Sequence, residues 1–117
     1  MAQVLALVDD LFFQAKILET AKHLGITVRT STTSDALLAE IAKETPDLVI
    51  VDLNAHGAPL QAIGKVRAGH PGLPLIGFLS HVQTNLAQQA RTAGCTHVLP
   101  RSQFTHDLAT ILAQAKS

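Results

Sequence analysis

Short apolar runs alternate with longer amphipathic segments along the whole chain. Residues 4–8 (VLALV), 26–30 (ITVRT), 48–51 (LVIV), 73–79 (LPLIGFL) and 96–100 (THVLP) have the length and composition of strands. The third is uninterrupted by any polar residue, as a strand covered on both faces requires. Helical spacing fills the gaps. Residues 10–25 place Leu11, Ala15, Leu18, Ala21 and Leu24 on a stripe and end at Gly25, a residue suited to a helix C-terminus. A Ser/Thr cap at 31–34 opens a second helix with Leu37, Leu38 and Ile41, stopped before Pro46. Leu60, Ile63 and Val66 mark a third helix over 58–69. Val82, Leu86, Ala90 and Ala93 mark a fourth over 82–95, and Leu108, Ile111, Leu112 and Ala115 a last one over 103–116.

Five strands alternating with five helices imply parallel strands joined by right-handed crossovers. The expected fold is therefore α/β: one doubly wound five-stranded parallel sheet, a single domain over residues 1–117. No linker, long-period repeat or low-complexity stretch interrupts it.

Composition narrows the function. Nine basic and nine acidic residues cancel, and four Phe with no Tyr or Trp leave little to stack on bases. No nucleic-acid partner is expected from such a balance. The single cysteine, Cys95, cannot close an internal disulfide, which suits a cytoplasmic location. No apolar run is long enough to span a membrane, and the first residues lack the order of a secretion signal.

In open parallel sheets, sites form beyond the carboxyl ends of the strands. Those ends carry Asp9 and Asp10 after the first strand, and Asp52 and Asn54 after the third. They carry Leu79, Ser80 and His81 after the fourth, and Pro100 and Arg101 after the fifth. Three carboxylates meeting at one edge repel unless a cation neutralises them, and oxygen-only donors suit Mg²⁺. The plain alternative is that Asp10 caps the first helix and Asp9 is solvated. His56 and His81 are candidate ligands for a softer metal, or exposed loop residues. Cys95 reads as a small buried residue.

The segments LALVDD, PDLVIVDLN, LPLIGFLS and AGCTHVLPRSQF together resemble the receiver domain of two-component response regulators, over residues 4–115. The resemblance implies a flavodoxin-like, CheY-like (βα)5 fold and a phosphorelay signalling role rather than an enzyme. It implies Asp52 as phosphoacceptor, and Mg²⁺ held by Asp9, Asp10, Asp52 and the backbone carbonyl of Asn54. It also implies a histidine kinase or phosphotransfer protein and a downstream protein as partners, and a homodimer through helix four, strand five and helix five.

Departures from the family pattern are equally specific. Leu79 falls where the family has a Thr or Ser that hydrogen-bonds the phosphoryl group, and Ser80, one residue late, is the candidate substitute. Arg101 replaces the family Lys, a planar fork in place of a compact ammonium. Val98 replaces the aromatic switch residue and Ser102 the Pro that often follows the Lys. The loop NAHGAP is shorter than usual by roughly three residues.

Two readings follow. In one, Asp52 accepts a phosphoryl group with Mg²⁺ and Arg101 as counter-charges. In the other, Arg101 pairs permanently with Asp52 or Asp10, and the domain is a pseudo-receiver acting as a protein–protein interaction module. Enzyme readings are weaker. Asn54 stands where cobalamin-binding domains have His and where haloacid-dehalogenase phosphotransferases have a second Asp. Phosphate-cradling Gly-rich loops are absent.

Overall fold

Strand β1 (Gln3–Leu7) leads into α1 (Leu11–Leu24), β2 (Thr27–Ser31) into α2 (Ser34–Lys43), and β3 (Leu48–Asp52) into α3 (Pro59–Gly69). Strand β4 (Leu75–Leu79) precedes α4 (Thr84–Ala93), and β5 (His97–Pro100) precedes α5 (Arg101–His106) and α6 (Leu108–Ala113). A single 3-10 turn, Gln114–Lys116, follows. The computed structural model describes residues 3–80 and 83–116, so His81 and Val82 of the expected site and fourth helix lie outside the described residues.

All four strand pairings are parallel, in the order β2-β1-β3-β4-β5. The expected doubly wound sheet is therefore present. Alternation along β1 splits the core. Val4 and Ala6 pack with Phe13, Ile17, Phe104 and Leu112 on one face, and Leu5 and Leu7 with Leu37, Ile63 and Val66 on the other. Central strands β3 and β4 are buried throughout, which explains their unbroken apolar runs.

Two expectations need correction. The buried stripe of α1 is Phe13, Ile17 and Ala21, whereas Leu11 and Leu18 face solvent. This helix carries apolar residues around most of its circumference, so spacing alone does not choose the phase. The last helix starts at Arg101 rather than Gln103 and divides at Asp107 (φ −98°, ψ 10°) into α5 and α6. The Asp107 carboxylate accepts a hydrogen bond from Gln103 Nε2 at 2.5 Å and lies 2.9 Å from His106 Nδ1.

Candidate functional site

The register aligns the strand ends. Leu7 lies beside Val51, Asp52 beside Phe78, and Leu79 beside Pro100. Residues immediately beyond these positions therefore share one rim, where Asp9, Asp10, Asp52 and Arg101 come together.

Asp10 is the N-cap of α1, its Oδ1 accepting from the N–H groups of Phe12 (2.9 Å) and Phe13 (3.2 Å). Its Oδ2 lies 3.6 Å from Arg101 Nη1. Asp52 is 2% exposed; its Oδ1 accepts from the Asn54 N–H at 2.9 Å, and its Oδ2 from Arg101 Nη2 at 3.4 Å. One guanidinium thus bridges two carboxylates. Asp9 turns the other way: its Oδ2 accepts the His56 N–H at 2.8 Å and lies 3.0 Å from His56 Nδ1.

Electrostatics follow this geometry. Burial pushes the Asp52 carboxyl above its ordinary value, against the opposing pull of the Asn54 N–H and of Arg101. The backbone N–H of His56 is the main cause holding Asp9 below its ordinary value.

Arg101 has an aromatic bed that sequence reasoning missed. Its guanidinium carbon sits 4.7 Å from the Phe13 ring centre and 5.7 Å from that of Phe78. Phe78 in turn stacks on Phe104 at 4.5 Å. The Arg101 Nε is buried with no hydrogen-bond partner among the described residues, as expected of a guanidinium lying on rings. A correct phase for α1 would have pointed Phe13 at this place.

The neighbouring loops are tied down. Asn54 acts through its side chain, with Oδ1 accepting from the Ser80 N–H at 2.7 Å and Nδ2 donating to Gln83 Oε1 at 2.9 Å. Ser80 is exposed, and among the described residues no hydrogen bond joins its hydroxyl to Asp52. A side chain on Gly57 would meet the Thr32 carbonyl oxygen at 2.4 Å, so only glycine lets this loop approach the connection between β2 and α2 so closely. Leu79 is buried with Val49, Val51 and Ala90 on the face opposite the aromatic bed. Together with Val98, Ala87 and Pro100 it lines a cavity of about 170 Å³ between α4 and β5.

The oxygen donors are of the kind Mg²⁺ takes, and in this arrangement Arg101 and the His56 N–H engage them. Among the described residues no three His, Cys, Asp or Glu side chains are grouped to hold a metal. The Asp10 and Asp52 oxygens that face each other are taken by Arg101. An ion at this rim would have to displace a guanidinium.

Comparison with known proteins bears on the fold. No family model matches the sequence. The chain is 30% identical over 91 residues to the DNA-binding transcriptional regulator NtrC of Salmonella typhimurium, a match covering 77% of this chain and 19% of that protein. The chain thus spans about a fifth of the length of this curated relative. Similar solved structures include the receiver domain of NtrX from Brucella abortus (TM-score 0.82, 21% identity, 96% of each chain). They also include the chemotaxis response regulator CheY4 of Vibrio cholerae (TM-score 0.85, 22% identity, 98% of each chain). A putative response regulator from Chloroflexus aurantiacus superposes with a TM-score of 0.86 at 18% identity, over 99% of this chain and 98% of that one. The fold is that of the CheY-like receiver domains of response regulators. Among the described residues no helix is long and apolar enough to cross a membrane.

Proposed function

We propose that this receiver-like domain signals as a phosphorylation-independent protein–protein interaction module, its acid pocket closed by its own arginine. The observation that carries this reading is the Arg101 bridge between Asp10 and Asp52 over the Phe13 ring. A buried carboxylate costs stability unless it is paired and hydrogen-bonded, and here the pairing is internal. The residues that would read out a phosphoryl group do not support a switch. Leu79 has no hydroxyl, the Ser80 N–H is taken by Asn54 Oδ1 and no hydrogen bond joins the Ser80 hydroxyl to Asp52 among the described residues, and Val98 has no ring to turn. The partner is a downstream protein, and no reaction is catalysed.

The second reading keeps Asp52 as an Mg²⁺-dependent phosphoacceptor fed by a histidine kinase or phosphotransfer protein. It is favoured by the meeting of Asp9, Asp10 and Asp52 on one rim and by a cation within reach of Asp52. In this reading Arg101 must first leave the carboxylates. Asp9, Asp10, Asp52 and the Asn54 carbonyl are the oxygens that would then hold the ion.

Intact-protein mass spectrometry decides between the two. With Mg²⁺ and a small phosphodonor, under conditions that label a conventional receiver fully, the wild type is expected to stay unlabelled. One added phosphoryl group, lost in Asp52→Asn, would establish the second reading instead.

A further inference from the structure

Helix α1 is apolar on two faces. Phe13, Ile17 and Ala21 are buried against the sheet, whereas Leu11, Phe12 and Leu18 are 75%, 92% and 40% exposed. Among the described residues these are the large apolar side chains left in water, and all three belong to one helix. Apolar side chains grouped on the exposed side of a helix mark a candidate contact surface. Leu11, Ala15, Leu18 and Lys22 follow one another at the alternating four- and three-residue steps of a helix–helix seam.

We propose that α1 pairs with α1 of a second copy of this chain, antiparallel about a two-fold axis at Ala15. Three observations select a second copy as the occupant. Ala15 is small, exposed and central in the stripe, so two helices can approach closely there. An antiparallel crossing at Ala15 lays Leu18 of each copy against Leu11 and Phe12 of the other, so each apolar group is covered by the same patch that it covers. This is the self-complementarity of a two-fold interface.

Charge gives the third argument. The helix begins beside Asp9 and Asp10 and ends with Lys22 and His23. Antiparallel pairing brings Lys22 of one copy to the acidic end of the other and opposes the two helix dipoles. Parallel pairing would set like charges together. Asp9 and Asp10 can accept further hydrogen bonds beside those from His56 and Arg101, because each carboxylate has about four lone-pair sites. The face formed by α4, β5 and α5, where the sequence pointed to a dimer, has no exposed large apolar side chain among the described residues.

The interface is small. Helix α1 has 14 residues, a length of about 21 Å, and one helix per copy buries less than the roughly 1,600 Å² of a standard complex. The dimer is therefore weak and forms with rising concentration.

Two measurements on the full chain test it. Sedimentation equilibrium up to about 1 mM should give a mass rising from monomer towards dimer, and Phe12→Asp should abolish the rise while leaving the circular dichroism unchanged. Ala15→Cys, on the axis, should oxidise readily to a disulfide-linked dimer, whereas Gln88→Cys on α4 should not. The native Cys95 is buried and its thiol is pushed up to about 11, so it does not compete. Phe12→Asp added to Ala15→Cys should slow the cross-link at least about tenfold, the factor a loss of 1.4 kcal/mol gives. A wild type monomeric at every concentration overturns the proposal. Cross-linking of Gln88→Cys as fast as Ala15→Cys overturns it too, in favour of the α4 face.

Discussion

The Arg101 guanidinium carbon lies 4.7 Å from the centre of the Phe13 ring. Phe13 is fixed by the core and the same guanidinium reaches Asp10 and Asp52, so one flat cation is held by a ring and two carboxylates at once. A lysine could neutralise the acids, but its compact ammonium presents no planar face to the ring and no rigid fork to span the two carboxylates.

Arg101→Lys should therefore destabilise the fold by about 1–2 kcal/mol, from the lost stacking and the weaker pairing of buried Asp52. The exposed Asp10 contact adds little. Millimolar Mg²⁺ should raise the melting temperature of Arg101→Gln by linkage and leave the wild type nearly unmoved. Calorimetry measures both. An equal rise in the two proteins would mean that the arginine does not occupy the cation's place.

Asp52 gives a pH signature. Its folded pKa is raised, so its contribution to stability is fully present below the unfolded value and is lost as pH rises through the folded value. Asp52→Asn removes that loss. At pH 7 the variant should be more stable than wild type by about 1 kcal/mol, and the gap should close as the pH falls through the raised pKa. Urea unfolding of both proteins over the acidic range measures the difference. A wild type more stable than Asp52→Asn at neutral pH would show that pairing with Arg101 outweighs burial.

Asp9 has the opposite sign. Its pKa is lowered, so its contribution is present above the ordinary value of 3.8 and is lost as pH falls through the lower folded value. Asp9→Asn should cost a few tenths of a kcal/mol at pH 7, since the carboxylate is partly solvated. The larger effect should be local: amide hydrogen exchange should quicken at His56 and its neighbours, whose loop loses its anchor to Asp9. Unchanged exchange at His56 would make the contact incidental.

How far the chain could be read from its sequence varied with the kind of signal. Strand positions were readable because buried central strands such as Val49–Val51 have no polar interruption, and the rim followed because parallel topology puts Asp9, Asp10, Asp52 and Arg101 at strand ends. The phase of α1 was not, since Leu11, Ala15 and Leu18 match the helical period as well as Phe13, Ile17 and Ala21 do. That ambiguity also hid the aromatic bed. Phe13 and Phe78 come from segments distant from Arg101 in sequence, and nothing local to either announces that they meet beneath its guanidinium, with Phe104 stacked on Phe78.

The cavity of about 170 Å³ between α4 and β5 yields the last prediction. Leu79, Ala87, Val98, Leu99 and Pro100 give it an apolar wall, Gln83, Thr84 and Arg91 complete the lining, and Val98 is the small side chain on the β5 side. Contacts missing across such a space are dispersion energy the fold does not collect. Val98→Phe adds a ring facing that space and should stabilise the protein by about 0.5–1 kcal/mol, a rise of about 2–5 °C in melting temperature for a domain of this size. Overpacking elsewhere in a core costs about 1–3 kcal/mol, so the sign of the change reports whether the added ring is accommodated. Val98→Ala should be destabilising in the same assay. A fall in melting temperature for Val98→Phe would mean that α4 already closes on β5 in solution. The added ring should not by itself create a switch, because Leu79 remains without a hydroxyl: amide spectra of Val98→Phe should stay unchanged in residues 84–108 on addition of a phosphoryl mimic. Shifts across that range would show that the missing aromatic alone had broken the link between Asp52 and α4.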